Sequence, residues 1–192
     1  MELIKFEKVK NGKYLKNYEL TYLNKSGKQK QYEIVSHSEL QNINEIGNRV
    51  SGVSIVVIKE DKLLLLKEFR MAVNRTIYNL CAGMIEPGET VEDCVRRELN
   101  EETGLKLKEI VDILPPAFAA VGLSDVKNQI VIARVYDEEE NAVSHTSDNE
   151  EIHAAFYTRE QIKELLQVAE FSSRSQIVAY FFAKGWLTRK NA

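Results

Sequence analysis

The stretch Gly83–Leu105, GMIEPGETVEDCVRRELNEETGL, decides how the chain is read. Its Glu86-Pro87-Gly88-Glu89 segment is a tight turn running into a helix crowded with carboxylates. Thr90 is placed to cap that helix, and Asp93 completes a capping-box pattern. Gly104 stands where a helix-ending glycine belongs. Together these signals predict a helix from about Val91 to Thr103.

At roughly 100° per residue, Val91, Cys94, Val95 and Leu99 share one side, which predicts the buried stripe. Glu98 and Glu102 fall among them, one turn apart, with Glu101 close beside. An ordinary amphipathic helix keeps its acids on the opposite side. Like charges at i,i+4 cost a few tenths of a kcal/mol even when exposed. Partly buried carboxylates cost far more unless they are paired or bound to metal. Arg97 can pair with Glu101 at i,i+4, but one guanidinium cannot neutralise the cluster. Hard oxygen donors of this kind suit Mg²⁺, Mn²⁺ or Ca²⁺. The competing reading is a solvated acidic helix whose apolar stripe is phased differently.

The segment reads G-x5-E-x7-R-E-L-x-E-E-x-G-L. It resembles the signature of the Nudix hydrolases at Gly83, Glu89, Arg97, Glu98, Leu99, Glu101, Glu102, Gly104 and Leu105. That resemblance implies an α/β fold, a Nudix-type α/β/α sandwich with a mixed sheet. It also implies metal-dependent hydrolysis of a nucleoside diphosphate linked to another group, with Mg²⁺ as the expected cofactor and Mn²⁺ as an alternative. By the same resemblance Glu98 and Glu102 are the bridging metal ligands, and Glu101 is a ligand or a water-orienting group. Arg97 would hold a glutamate in place, Glu89 would support that arrangement, Gly83 would permit close backbone approach, and the Ala82 carbonyl would complete the metal shell.

More of the chain resembles the ADP-ribose pyrophosphatase branch. KEFRMAVNRTIYNLCAGMIEPGE, residues 67–89, is similar to its arginine-containing loop, which makes Arg70 and Arg75 candidate phosphate or partner contacts. The competing reading for both is solvated surface. Asp148-Asn149-Glu150-Glu151-Ile152, followed by Thr158–Ile162, is similar to the loop and helix after the branch's last long strand. Matched residue by residue, Asp148 takes the general-base position and Glu150 a metal-ligand position; otherwise the loop is an acidic surface turn. Several positions depart from the branch. It usually enters the signature with Glu-Leu-Pro-Ala-Gly, here Asn79-Leu80-Cys81-Ala82-Gly83. Its downstream Pro-Gly-x-x-Asp-Glu-like loop is here Val121-Gly122-Leu123-Ser124-Asp125-Val126, without the proline or the glutamate. Cys81 reads as a small apolar filler.

The chain has 192 residues, 44% of them hydrophobic, and a formal net charge of −3, so it can bury a sizeable core and carries no basic footprint for nucleic acid. No run approaches the ~20 apolar residues of a membrane span. The N-terminus lacks a signal-peptide pattern, and Cys81 and Cys94 do not make a disulfide framework, so a reducing cytoplasm is the expected compartment.

Residues 1–47 read as a small β-rich segment. Tyr18–Leu23 and Gln31–Ser36 flank the Asn24–Lys28 turn cluster as a hairpin. A lone hairpin is marginal in water, so it must pack on the following domain or on a second subunit; the resembled branch pairs through such a segment, so homodimerisation is expected through residues 1–47. Residues 48–192 form the expected Nudix domain. His37 reads as a surface or core histidine. Val53–Ile58 and Lys62–Lys67 are expected as central strands, followed by strands at Ile77–Cys81, Lys108–Leu114, Gln129–Val135 and His153–Tyr157. Asp137–Glu151 reads as a long acidic loop. Two helices close the chain, capped by Thr158 with Gln161 and by Ser173 with Gln176.

The leading expectation is hydrolysis of a nucleoside diphosphate sugar, ADP-ribose first, to AMP and ribose 5-phosphate. Alternatives are another Nudix substrate, such as GDP-mannose, a dinucleotide or an oxidised nucleotide, or a nucleotide sensor that does not cleave. No nucleic-acid or membrane partner is expected.

Overall fold

Two apolar runs that alternate sides build the centre of the fold in this computed structural model, which describes residues 1–136 and 151–187. In chain order the first strands are β1 (Glu2–Asn11), β2 (Lys16–Leu23), β3 (Gln29–Ser36), β4 (Val50–Lys59), β5 (Lys62–Arg70), β6 (Arg75–Asn79) and β7 (Cys81–Met84). Helix α1 (Val91–Thr103) follows, then β8 (Leu107–Ile113), β9 (Ala117–Phe118), β10 (Lys127–Val135) and β11 (Ile152–Thr158). Helices α2 (Arg159–Val168) and α3 (Ser173–Ala183) come last. The chain divides into two compact units, Met1–Gly52 with Pro115–Gln129 and Val53–Leu114 with Ile130–Ala192.

In the larger unit a mixed sheet runs in the order β11-β5-β4-β10-β8, with β6 on β5 and β7 on β4. Strand β5 is antiparallel to β4, β6 and β11. Successive strand residues point to opposite faces. Val53, Ile55, Val57, Leu64 and Leu66 therefore join Cys94, Val95 and Leu99 of α1 on one side. Val56, Leu63 and Leu65 join Ile162 of α2 and Ala179 and Phe182 of α3 on the other. A strand buried on both faces explains the unbroken leucine run of β5. The result is the α/β/α sandwich expected from the sequence.

In the smaller unit β1-β2-β3 form an antiparallel sheet. The side-chain oxygen of Asn24 accepts from the amides of Ser26 (2.9 Å) and Lys28 (3.0 Å), and Gly27 takes φ 75°, which closes the hairpin turn. Tyr18, Leu20, Ile34 and Leu40 make the unit's core, and Phe6 stacks on Tyr18 at 4.9 Å. The loop that departs from the resembled branch lies on this sheet's β3: the Val35 amide donates to the Leu123 carbonyl at 2.9 Å and the Tyr32 hydroxyl to Gly122 at 2.8 Å. His37 is exposed.

Three expectations are corrected. Strand β1 joins the hairpin as a third strand, which gives the sheet the extra pairing an isolated hairpin lacks. The strand expected at Ile77–Cys81 is two strands, β6 and β7, separated at Leu80, whose amide is taken by the Asn79 side chain (3.1 Å) and Ser175 Oγ (2.9 Å). Helix α3 is capped by Ser172, not Ser173: Ser172 Oγ accepts from the Ser175 amide at 3.4 Å. Ser172 is fixed there because its own amide donates to the Tyr78 carbonyl at 3.2 Å.

Candidate active site

The site is assembled on α1 and the strand before it. The capping box forms in both directions, with Thr90 Oγ1 accepting from the Asp93 amide (3.1 Å) and Asp93 accepting from the Thr90 amide (3.3 Å). At the other end Gly104 takes φ 70° as a left-handed cap. These local signals fix the helix phase. Cys94, Val95, Glu98 and Leu99 are buried as a result, Glu102 is partly buried, and Glu101 is exposed.

Gly83 stands against Glu98. A Cβ on Gly83 would lie 1.6 Å from Glu98 Oε1, so no other residue fits there without moving the carboxylate. Glu102 is held from the same strand, with its Oε2 accepting from the Ala82 amide at 3.0 Å. Burial pushes the Glu98 pKa up, opposed by Arg97. Burial likewise pushes Glu102 up to about 8, opposed by hydrogen bonds from the Cys81 thiol and the Ala82 amide and reinforced by the charges of Glu98 and Glu68.

Arg97 is the hub. Its Nε and Nη2 clasp Glu89 at 2.9 and 3.0 Å, a bidentate pair, while Nη2 also donates to the Met84 carbonyl at 2.9 Å. Its Nη1 donates to Glu98 (2.6 Å) and Glu101 (3.2 Å). Glu89 also accepts from the Glu86 amide at 2.8 Å. The Arg97 hydrogen bond is the main reason its carboxyl titrates at about 2.

The sequence-expected residues do not all gather here. Glu89, Arg97, Glu98, Glu101 and Glu102 meet at α1, with Ala82 and Gly83 beside them. Arg70 ends β5, largely exposed, with Nη1 3.6 Å from Glu68. Arg75 pairs with Glu170 at 2.6 Å on the surface. Asp148 and Glu150 lie outside the described residues.

Sequence reasoning missed Glu68 and Asn79. Glu68 is only 4% exposed, and its Oε1 accepts from Asn79 Nδ2 at 2.7 Å. The signal was there: Leu64, Leu66 and Glu68 alternate along β5, so the acid continues the face that packs on α1.

The donor set suits a hard divalent cation, because buried carboxylates with raised pKa values need a positive partner that Arg97 alone does not supply. Among the described residues, no three His, Cys, Asp or Glu side chains already stand in ligating geometry. Glu98 and Glu101 are turned to Arg97 instead.

Comparison with known proteins identifies the family. The NUDIX domain family matches residues 48–180. The ADP-sugar pyrophosphatase of Mus musculus is 29% identical over 134 residues, covering 67% of this chain and 59% of that protein. The ADP-ribose pyrophosphatase of Escherichia coli (strain K12) is 29% identical over 125 residues, covering 62% of this chain and 59% of that protein. The chain thus spans less than two thirds of the length of both. A crystal structure of an ADP compounds hydrolase superposes with a TM-score of 0.71 at 24% identity, covering 96% of this chain and 92% of that one, which supports the fold. With the family match extending over more than half its length, the chain belongs to the NUDIX domain family.

Proposed function

We propose that this chain hydrolyses the pyrophosphate bond of a nucleoside diphosphate sugar, ADP-ribose first, releasing AMP and ribose 5-phosphate. The observation that carries this reading is the inward turn of Glu98 and Glu102 on one helix face, Glu98 against Gly83 and Arg97 and Glu102 on the Ala82 amide. The names of the mouse and E. coli relatives support the substrate class.

Nudix hydrolases generally use divalent metal ions; Mg²⁺ is our assignment here, with Mn²⁺ able to replace it. Such a cation, when bound, neutralises phosphate oxygens and acidifies a coordinated water. Glu98, Glu102, Glu101, the Ala82 carbonyl and Glu150 would hold it. Arg97 and Glu89 keep Glu98 in place through the clasp described above. Asp148 would accept the proton of the attacking water as the new P–O bond forms and the bridging P–O bond breaks. Arg70 and Arg75 are assigned to phosphate or partner contacts; Arg75 must first release Glu170.

We further assign residues 1–47 to homodimerisation and residues 48–192 to the catalytic domain, and place the protein in the cytoplasm, where its two buried free thiols would stay reduced. No helix among the described residues is long and apolar enough to cross a membrane.

The test is a substrate panel with Mg²⁺, with products identified by mass spectrometry. ADP-ribose should give AMP and ribose 5-phosphate. Turnover of GDP-mannose, a dinucleotide or an oxidised nucleotide instead would move the substrate and keep the chemistry. Nucleotide binding with no hydrolysis of any nucleoside diphosphate would leave a sensor and end the enzymatic reading. Light scattering at high concentration tests the dimer, and a monomer there would remove it.

A further inference from the structure

Glu68 is a buried acid that the fold alone does not explain. It is 4% exposed. Among the described residues its close partner is a neutral amide, Asn79 Nδ2 at 2.7 Å, and its cationic neighbour Arg70 stands off at 3.6 Å with its own side chain 56% exposed. One neutral hydrogen bond and one long, solvent-screened ion contact do not offset the desolvation of a carboxylate. A glutamine or an apolar residue would suit this strand better if folding were the only demand.

Its orientation is over-determined. Asn79 Oδ1 accepts from Ser172 Oγ (2.7 Å), Ser175 Oγ (2.6 Å) and the Leu80 amide (3.1 Å), which fixes the amide so that its Nδ2 points at Glu68. Ser175 is fully buried and also accepts from the Leu80 amide at 2.9 Å. The same run of backbone continues through Cys81 to Ala82, whose amide holds Glu102. Strand alternation puts Glu68 on the face of Leu64 and Leu66, toward α1.

We propose that Glu68 is a positioning carboxylate of the site. Its negative charge, held by Asn79 on the sheet face that Leu64 and Leu66 pack against α1, strengthens the field that retains a divalent cation at that helix. The inference rests on the metal-dependent reading above, and it makes the network from β5 through Asn79 to α3 a part of cation retention. In the metal-free protein the same charge is a liability, so its removal has opposite effects with and without metal.

The experiment uses the full chain, free of substrate, with Mn²⁺ uptake followed by electron paramagnetic resonance and thermal melts run in chelator. Glu68→Gln keeps an oxygen to accept from Asn79 and removes the charge. It should raise the metal-free melting temperature and weaken Mn²⁺ binding about tenfold, the size expected of one charge removed at close range. The double variant Glu68→Gln with Asn79→Asp puts the carboxylate on the other side of the same hydrogen bond and should return Mn²⁺ affinity to near the parent value. If Glu68→Gln binds Mn²⁺ as the parent does, or melts lower without metal, the positioning role is overturned and Glu68 is structural. A double variant as weak as the single one overturns it too, and remains available if the single variant folds poorly. A parent chain that takes up no Mn²⁺ overturns the metal-dependent reading itself, an outcome distinct from the others.

Discussion

The two faces of the central sheet solve the same packing problem with different materials. On the α2–α3 side the buried contacts are Val56, Leu63, Leu65, Leu80, Ile162, Ala179 and Phe182, apolar residues joined by the uncharged Ser175. On the α1 side Val95 and Leu99 pack equally tightly, but Glu98, Glu102, Glu68 and two thiols are interleaved with them. Both faces draw on the same strands, so strand composition is not the cause. The difference is that one face is built for stability and the other gives up some stability to keep charge out of water.

That comparison can be broken by substitution. The largest effect belongs to the apolar face: Phe182→Ala should lower unfolding free energy by about 4 kcal/mol, read by denaturant melts, while turnover per folded molecule stays near the parent rate. A large loss of turnover there would show that the faces are not separable. Next, Glu102→Gln should reduce turnover by roughly two to three orders of magnitude with no loss of metal-free stability; Glu101→Gln should also abolish turnover. Either variant at full rate contradicts the roles assigned above. Gly83→Ala, which drives a methyl into Glu98, should cost about 2 kcal/mol and lower turnover as well, measured by melts and initial rates.

A smaller effect separates the carboxylates by pH. Glu102 titrates at about 8 in the folded chain against 4.5 for the free group. The folded state therefore binds the extra proton between these values. In chelator, its contribution to stability should be full below about 4.5 and fall as pH rises toward 8, and Glu102→Gln should flatten that slope. Glu89, depressed to about 2 by Arg97, has the opposite sign: its contribution is present above 4.5 and disappears as pH falls toward 2. The smallest change is Thr90→Ala, which removes one half of a capping box and should cost about 1 kcal/mol by thermal melt.

The helix and its acids were legible because every signal that sets them is local. Thr90, Asp93 and Gly104 fix the ends, and the ends fix which carboxylates turn inward. Strand β1 was not legible because register shifts between Leu3 and Lys5 and between Lys8 and Lys10 break its alternation. The choice between Ser172 and Ser173 as the cap was set by a hydrogen bond to Tyr78, nearly a hundred positions away in sequence, which no local pattern contains. Glu68 was hidden for a different reason. A Lys67-Glu68 pair after four leucines reads as the point where a strand reaches water, and only the alternation with Leu64 and Leu66 says that Glu68 stays inside.

Every direction in which the Arg97 guanidinium can donate is already engaged: Nε on Glu89, Nη1 on Glu98 and Glu101, and Nη2 on Glu89 and the Met84 carbonyl. A lysine, with three donors on a single nitrogen, cannot reproduce that fan. Disturbing any one of these acceptors would reach the others through a single rigid plane, so the tolerance of this segment to mutation should be set jointly rather than one residue at a time.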